Sequence, residues 1–589
     1  MKSIQPVHFL QFALAALICP ESTLWGQETV GGEWQQTHRY AGENKGDHFG
    51  YAISPMGDID GDGWRDWAIG APGAENTAGA KDAGFARVYS GRNGRAIYEF
   101  EGGNAYDHMG AAIASPRDVD GDGFHDILVA ADWMDANGLH NSGSVFLFSG
   151  ATGDLIHRWD GTEADANLGT TISGVGDFDG DGTKDILAGA PFADNPATGD
   201  QDTGAVFVFS GSPPFGVIKR FNGLKPQDQH GRVVTGVGDL DGDGIYDLVA
   251  GSPYAENQGK PYAGAIFMYS GDSGNVIYRL GGLNAYDYFG TSVERIYDID
   301  DDGSQDFLVG APGARGGGDE RVGGAFLFSG ATGTLIRTHF GVGGGDQFGA
   351  RVAGITDIDR DGVKDYAIGA DHADPNGIKD AGSVFLYSGL TGSLLARWDG
   401  EHEYAYYGRA ICGTGGFVAN NQLGILIGTE WADPNNEEDA GIVDLKCYDP
   451  FLYAEGDRLD SGLLAARISA SEGGMIEFRI DFPDKYAGCE YRVLMSKNGP
   501  SVTHFRGLNI PMAMDYWARN SWAGQYASLG FYQNFQGVLD AEGKGYPVFA
   551  IGPNRLENWR TYRVIALALA PGTSTPIVSS GPVVIEARP

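Results

Sequence analysis

Cysteine is scarce in this chain. Of 589 residues only Cys19, Cys412, Cys447 and Cys489 are cysteines, and Cys19 lies in an N-terminal apolar stretch. The other three are too few for a disulfide framework and leave room for one bridge. Positive charge is also short, with 41 Lys and Arg against 78 Asp and Glu and a formal net charge of −37. Phosphate backbones and anionic membranes repel such a surface, which argues against a nucleic-acid partner. Past the N-terminus no apolar run approaches the ~20 residues of a bilayer crossing, so no transmembrane segment is expected. The best run, 564–570, has the length of a core strand. Familiar catalytic patterns are missing as well: no His-Glu-x-x-His, no Gly-x-Ser-x-Gly elbow and no Cys/His metal cluster. The expectation is a protein that is not an enzyme.

Glycine, in contrast, makes up 94 residues, yet without the Gly-X-Y period of collagen. Together with 27 Tyr and 30 Phe it predicts short strands joined by tight turns, an all-β protein. Residues 1–26 hold Lys2, an apolar stretch over 7–18 and the polar end Leu24-Trp25-Gly26. That is the plan of a secretory signal peptide cleaved after Gly26. A lipoprotein signal ending at Cys19 fits less well, because Ile18 stands where a small residue is wanted. The expected location is secreted, outside the cell or associated with its surface.

A repeat organises most of the rest. A mostly apolar residue followed by Gly recurs at Phe49-Gly50, Met109-Gly110, Leu168-Gly169, His230-Gly231, Phe289-Gly290, Phe348-Gly349 and Tyr407-Gly408. Each pair is followed at a fixed distance by a small tripeptide: Gly70-Ala71-Pro72, Ala130-Ala131-Asp132, Gly189-Ala190-Pro191, Gly251-Ser252-Pro253, Gly310-Ala311-Pro312, Gly369-Ala370-Asp371 and Gly428-Thr429-Glu430. Self-similarity near 60 residues is the mark of a radial or stacked array. Six units hold four strand-like runs, whereas the seventh lacks its fourth, and the missing run lies at 34–40, before the first Phe-Gly. Four-stranded units need a closed ring to hide their edges. The prediction is a seven-bladed β-propeller over 34–449, closed by its N-terminal strand. Residues 451–589 lack the repeat and predict a small β-sandwich-like domain, with strands at 475–482, 491–495, 548–551, 562–568 and 583–587. The cluster Tyr516, Trp517, Trp522 and Tyr526 within it is read as core.

Phe-Gly, an Asp-rich loop and Gly-Ala-Pro in seven copies resemble the FG-GAP repeat of integrin α-subunit propellers and their secreted bacterial relatives. The resemblance covers about 70% of the chain. It implies a propeller that serves adhesion. An integrin subunit itself is not expected, for no thigh- or calf-sized region and no membrane helix follow.

Nine residues after each of the first six Phe-Gly starts begins an acidic loop. The sets are Asp58, Asp60, Asp62 and Asp66; Asp118, Asp120, Asp122 and Asp126; Asp177, Asp179, Asp181 and Asp185; Asp239, Asp241, Asp243 and Asp247; Asp298, Asp300, Asp302 and Asp306; and Asp357, Asp359, Asp361 and Asp365. Carboxylates at positions 1, 3, 5 and 9 converge if the chain curls, with the position-7 carbonyls of Trp64, Phe124, Thr183, Ile245, Ser304 and Val363 completing an oxygen cage suited to Ca²⁺. Position 12 of the first loop is Ile69, where an EF-hand needs Glu, so helix-loop-helix is rejected. The seventh unit, 416–424, has no acids. Six calcium sites are expected.

Consecutive turns of an antiparallel meander alternate between faces, so the loops after Gly-Ala-Pro lie opposite the acidic ones. They place rings at Trp133, Phe192, Tyr254, His372 and Trp431, and acids at Glu75, Asp135, Asp194, Glu256, Asp374 and Asp433. Two readings stand: rings packing between blades with acids capping their own loops, or a rim that grips a protein or glycan ligand. His48 and His108, beside Phe-Gly, are read as turn residues. Calcium-loop propellers also occur among polysaccharide lyases, so the rival expectation is a calcium-dependent carbohydrate-active protein, lectin or lyase. Cys412 and Cys447 fall on non-neighbouring strands of the seventh unit and are expected as buried free thiols.

Overall fold

In the computed structural model the described residues are 32–450, except 301, 317, 319, 360, 419–421, 435 and 436, together with the strands of 452–588. The region expected as a signal peptide lies outside them. Seven four-stranded antiparallel sheets form a ring, a seven-bladed β-propeller almost free of helix. Blade 1 runs Ile53–Gly57, Asp66–Ala71, Phe85–Tyr89 and Ala96–Glu101. Blades 2 to 6 repeat that order, beginning at Met109, Thr171, Val233, Ser292 and Arg351. The first strand of each blade contacts the first strand of the next, and that of blade 7 meets that of blade 1. First strands therefore line the axis and fourth strands form the outside. Burial follows this layering: Asp66–Ala71 is buried at every residue, whereas Ala96–Glu101 faces solvent at alternate places.

Blade 7 has Ala410–Val418, Gln422–Thr429 and Ile442–Pro450, and its fourth strand is Gly32–Ala41 from the other end of the propeller. The last two pair antiparallel from Gly32 opposite Pro450 to Ala41 opposite Ile442. Arg39 reinforces the closure, its Nε and second terminal nitrogen donating to the two oxygens of buried Asp444 at 2.7 and 3.1 Å. A two-toothed guanidinium–carboxylate pair fixes register as well as adding energy.

The glycines of the two motifs have a joint task. Gly50 N–H donates to Gly70 O at 2.9 Å within blade 1, and Gly169, Gly231, Gly290, Gly349 and Gly408 do the same in theirs. A methyl group on Gly70 would stand 2.1 Å from the carbonyl oxygen of Gly110 in blade 2, and one on Gly428 would stand 2.4 Å from that of Gly50, where the ring closes. At these two seams blade meets blade through backbone and no side chain fits, whereas blade 2 carries Ala130 at the matching place.

Beyond the propeller, strands that include Gly474–Asp481, Glu490–Ser496, Val548–Ile551, Arg560–Leu569 and Val583–Arg588 fall into two main sheets. Tyr516, Trp517, Trp522, Tyr526 and Cys489 lie outside the described residues. Cys412 and Cys447 are buried thiols outside any disulfide, on the first and third strands of blade 7.

Candidate metal loops and the opposite rim

Each acidic loop joins the first and second strands of its blade and is folded by its own carboxylates. In the first, Asp58 accepts from Asp62 N–H (3.0 Å) and Gly63 N–H (2.9 Å), and Asp62 accepts from Trp64 N–H (2.9 Å). Gly61 and Gly63 take positive φ, 71° and 88°, which turns the chain back on itself. The position-5 carboxylate also receives a hydroxyl from the end of the third strand, as in Ser149 to Asp122 at 3.0 Å and Ser329 to Asp302 at 2.8 Å.

Position 9 has a second duty that spacing alone conceals. Asp66 is fully buried, and its Oδ2 accepts from Ile59 N–H at 2.6 Å while its Oδ1 accepts from Gly91 N–H at 2.8 Å, just past the third strand. Asp126 repeats this with Val119 and Gly150, Asp185 with Phe178 and Gly211, Asp247 with Leu240 and Gly271, Asp306 with Ile299 and Gly330, and Asp365 with Ile358 and Gly389. It staples the loop to the blade. Burial pushes Asp66 up to about 7 and Asp126, Asp185, Asp247 and Asp306 up to about 6, against the pull of their N–H donors.

Three carboxylates converge to within 4.8 Å of one another in each of five loops. Asp58, Asp60 and Asp62, Asp118, Asp120 and Asp122, and Asp298, Asp300 and Asp302 do so through positions 1, 3 and 5. Asp177, Asp179 and Asp185, and Asp239, Asp241 and Asp247, do so through position 9. In the sixth loop Asp359, Asp361 and Asp365 are all buried. Among the described residues no lysine or arginine forms an ion pair with an aspartate of the first five loops. An all-carboxylate donor set, in these five loops exposed or half-buried at positions 1, 3 and 5 and buried at position 9, without a protein cation fits a divalent, oxygen-seeking ion.

The opposite rim brings the predicted rings to one face, but four of the five lean on a neighbouring ring. Trp133, Tyr254 and Trp431 are 43%, 38% and 39% exposed, while Phe192 and His372 are half-buried. His108 stacks on Trp133 with ring centroids 3.8 Å apart; His48 meets Trp431 at 4.7 Å, Tyr288 meets Tyr254 at 5.6 Å and Tyr406 meets His372 at 4.9 Å. All these partners stand just before a Phe-Gly. They hold positive φ, 53° at His48, 58° at His108, 53° at Tyr288 and 56° at Tyr406, a conformation bulky residues adopt only when packing enforces it. All six rim acids are exposed. Four cap their own loops: Asp135, Asp194, Asp374 and Asp433 accept from Asn141, Asp202, Asp380 and Asp439 N–H. Sequence reading missed Tyr262 and Tyr286, 37% and 41% exposed, which pack with Tyr254 and Tyr288 into a four-tyrosine group. The signal for Tyr286 was available in Tyr recurring three residues before the repeat's Phe-Gly position, at Tyr106, Tyr286 and Tyr404; Tyr262 belongs to no such recurrence.

A closed seven-bladed propeller with an aspartate loop at the inner hairpin of six blades defines the class of protein. The FG-GAP repeat family model matches residues 109–148, 169–209 and 231–267. The chain is 30% identical to integrin α-5 of Xenopus laevis over 233 residues, 37% of this chain and 21% of that protein. It is 28% identical to integrin α-V of Gallus gallus over 218 residues (35% and 20%) and 28% identical to integrin α-4 of Xenopus laevis over 247 residues (39% and 23%). It spans about one fifth of the length of these relatives. The chain carries FG-GAP repeats over these residues, and its propeller is similar to those of integrin α-subunits. Among its described residues no helix is long and apolar enough to cross a membrane.

Proposed function

We propose that this is a secreted, calcium-stabilised adhesion or interaction protein without enzymatic activity, whose rim face binds a protein or glycan ligand. In this reading residues 1–26 direct export, 34–449 form the binding propeller, and 451–589 form a separate β-sandwich-like domain. The observation that carries it is the division between faces. One face is occupied by six self-folded acidic loops, and the other presents exposed rings on irregular loops, where a rigid scaffold offers binding residues. Ca²⁺ would be held by the carboxylates at positions 1, 3, 5 and 9 and the carbonyl at 7, supplying the positive charge that the buried position-9 aspartates lack. Lying on the far face, calcium would set stability rather than touch the ligand.

The four-tyrosine group, three of whose rings are exposed, favours a second reading, a calcium-dependent lectin or polysaccharide lyase, since flat amphipathic rings suit sugar faces. A glycan array probed with the calcium-loaded protein separates the two. Tight sugar binding moves the assignment to a lectin, and turnover of a bound polysaccharide overturns the non-enzymatic reading. A protein ligand captured without sugar affinity supports the first.

A further inference from the structure

In blades 1 to 4 the axis-lining first strand ends at Gly57, Arg117, Gly176 and Gly238, which puts these residues at the mouth of the axis on the side of the acidic loops. Gly415 and Tyr297 hold the same repeat position in blades 7 and 5. The position-8 residue of an acidic loop reaches over that place in the blade before. A methyl group on Gly57 would stand 2.6 Å from His125 Nδ1, one on Gly176 2.8 Å from the Tyr246 ring and one on Gly415 3.6 Å from Arg65 Cδ. Lys364 Nζ lies 3.2 Å from the centre of the Tyr297 ring. Strand register joins the neighbours into one arc. Gly57 pairs with Asp66, so Arg65 adjoins the residue on which His125 lies, and Arg117 pairs with Asp126, so it adjoins His125. At the next seam the repeat brings Lys184 to Arg117 as it brings His125 to Gly57.

Charge in this girdle runs against the rest of the chain. Its two places in each of the seven blades hold Arg65, Arg117, Lys184, Lys364 and His125 and no acid at all, in a protein of net charge −37. The aspartates next in sequence do not answer these cations, because their own loops engage them. Asp118 accepts from Gly121 and Gly123 N–H at 2.7 and 3.0 Å and Asp177 from Gly180 and Gly182 N–H at 2.8 and 3.0 Å, as Asp58 does in the first loop. Among the described residues Arg65, Arg117 and Lys184 make no ion pair and no side-chain hydrogen bond. Both arginines are exposed and Lys184 is half-buried. Burial, with the charges of Arg65 and Arg117 acting on it, holds His125 below its ordinary range, in keeping with an arc whose members stand side by side.

We propose that this arc binds a compact tetrahedral oxyanion, sulfate or phosphate, at the axial mouth, with Arg65 and Arg117 donating N–H groups and Lys184 adding a third charge. Forked guanidinium groups match the oxygens of such an anion, and their combined charge favours a dianion over a lone carboxylate. A polyanion is disfavoured, since it would have to cross the acidic loops that encircle the mouth. The site lies on the face opposite the rim, so it stands or falls apart from the ligand proposed there.

Calorimetric titration of the full chain in calcium-containing buffer tests it, with sodium sulfate set against sodium chloride at equal ionic strength. Sulfate should bind saturably at one site per chain, and chloride should not. Arg65→Gln and Arg117→Gln should each weaken sulfate binding by about tenfold, and Lys184→Gln by about threefold, which keeps the test open if an arginine variant does not fold. Arg92 is the control, an exposed cation on the turn after the third strand of blade 1, the turn whose Ser90 reaches the first acidic loop. Arg92→Gln should leave the affinity within about twofold, being screened from the mouth by distance and salt. Sulfate that binds no better than chloride, or arginine variants that bind as the parent does, overturn the proposal. Equal losses in all four variants reduce the effect to net charge and overturn it too. Dextran sulfate, the same group on a polymer, should bind no more tightly per sulfate than the free ion, and tighter binding would overturn the compact ligand.

Discussion

Six blades hold their inner hairpin with a charged loop, and the seventh holds it with plain strand pairing. In blade 7 the first two strands extend toward the turn, where Phe417 pairs with Leu423 and Val418 with Gln422. Gly424 stands where the other loops have the buried aspartate, and the Thr414 hydroxyl on the first strand bonds its backbone, donating to Gly424 O and accepting from Gly424 N–H, both at 3.2 Å. A neutral hydroxyl needs no counter-ion, whereas a buried carboxylate among acidic neighbours does. The blade that closes the ring is thus the one whose inner hairpin is independent of a cation.

Chelation tests this contrast most strongly. At about 2 mM calcium and an assumed dissociation constant near 0.1 mM, each site adds about 1.8 kcal/mol. Six such terms exceed the stability of many domains, so EDTA should lower the melting temperature sharply, and hydrogen exchange should rise in blades 1 to 6 before the hairpin of blade 7. An unchanged melting temperature in EDTA would refute the six-site reading.

The next effect is a pH dependence with an unusual sign. The position-9 carboxyls stand at about 6 to 7 in the fold, above their unfolded value near 4. Between those values the folded chain binds more protons than the unfolded one, so without calcium stability should fall as pH rises from 4 to 7. Thermal melts in EDTA at pH 5 and pH 7.5 measure it, and saturating calcium should reverse or flatten the trend.

Single substitutions sharpen the comparison further. In EDTA, Asp66→Ala strands the buried N–H groups of Ile59 and Gly91 and should cost about 2 to 4 kcal/mol, against about 1 kcal/mol for Thr414→Val. Urea denaturation of the two variants gives both numbers, and equal losses would deny the staple its role. Smallest is the combined Asp60→Ala and Asp62→Ala change. It should lower the calorimetric calcium count by one and the melting temperature by a few degrees, leaving ligand binding on the opposite rim intact.

The ring of seven, the acid-free seventh loop and the N-terminal closing strand were legible in the sequence because each is a matter of spacing. Twenty-one residues from Phe49 to Gly70, repeated seven times, say where elements recur. What an aspartate does with its second oxygen is another matter. The Asp66 to Gly91 bond joins residues 25 apart, and only the fold shows that the turn after the third strand comes back over the loop. The rim was half legible for a similar reason. Its rings and acids could be counted, but the acids' role in their own loops and the left-handed backbone of Tyr286 and Tyr288 arise from conformation, which composition does not carry.

The closing strand also sets a clock. Gly32–Ala41 leaves the ribosome before the rest of the ring, and its partner Ile442–Pro450 follows about 400 residues later. At ordinary synthesis rates of about 5 to 20 residues per second, that is an interval of roughly 20 to 80 s. Through it the first strand has no ladder to join and blade 1 has an open flank, so the growing chain offers a strand edge to any passing neighbour. Whatever escorts this protein during its making has to shield one end of a ring until the other end arrives.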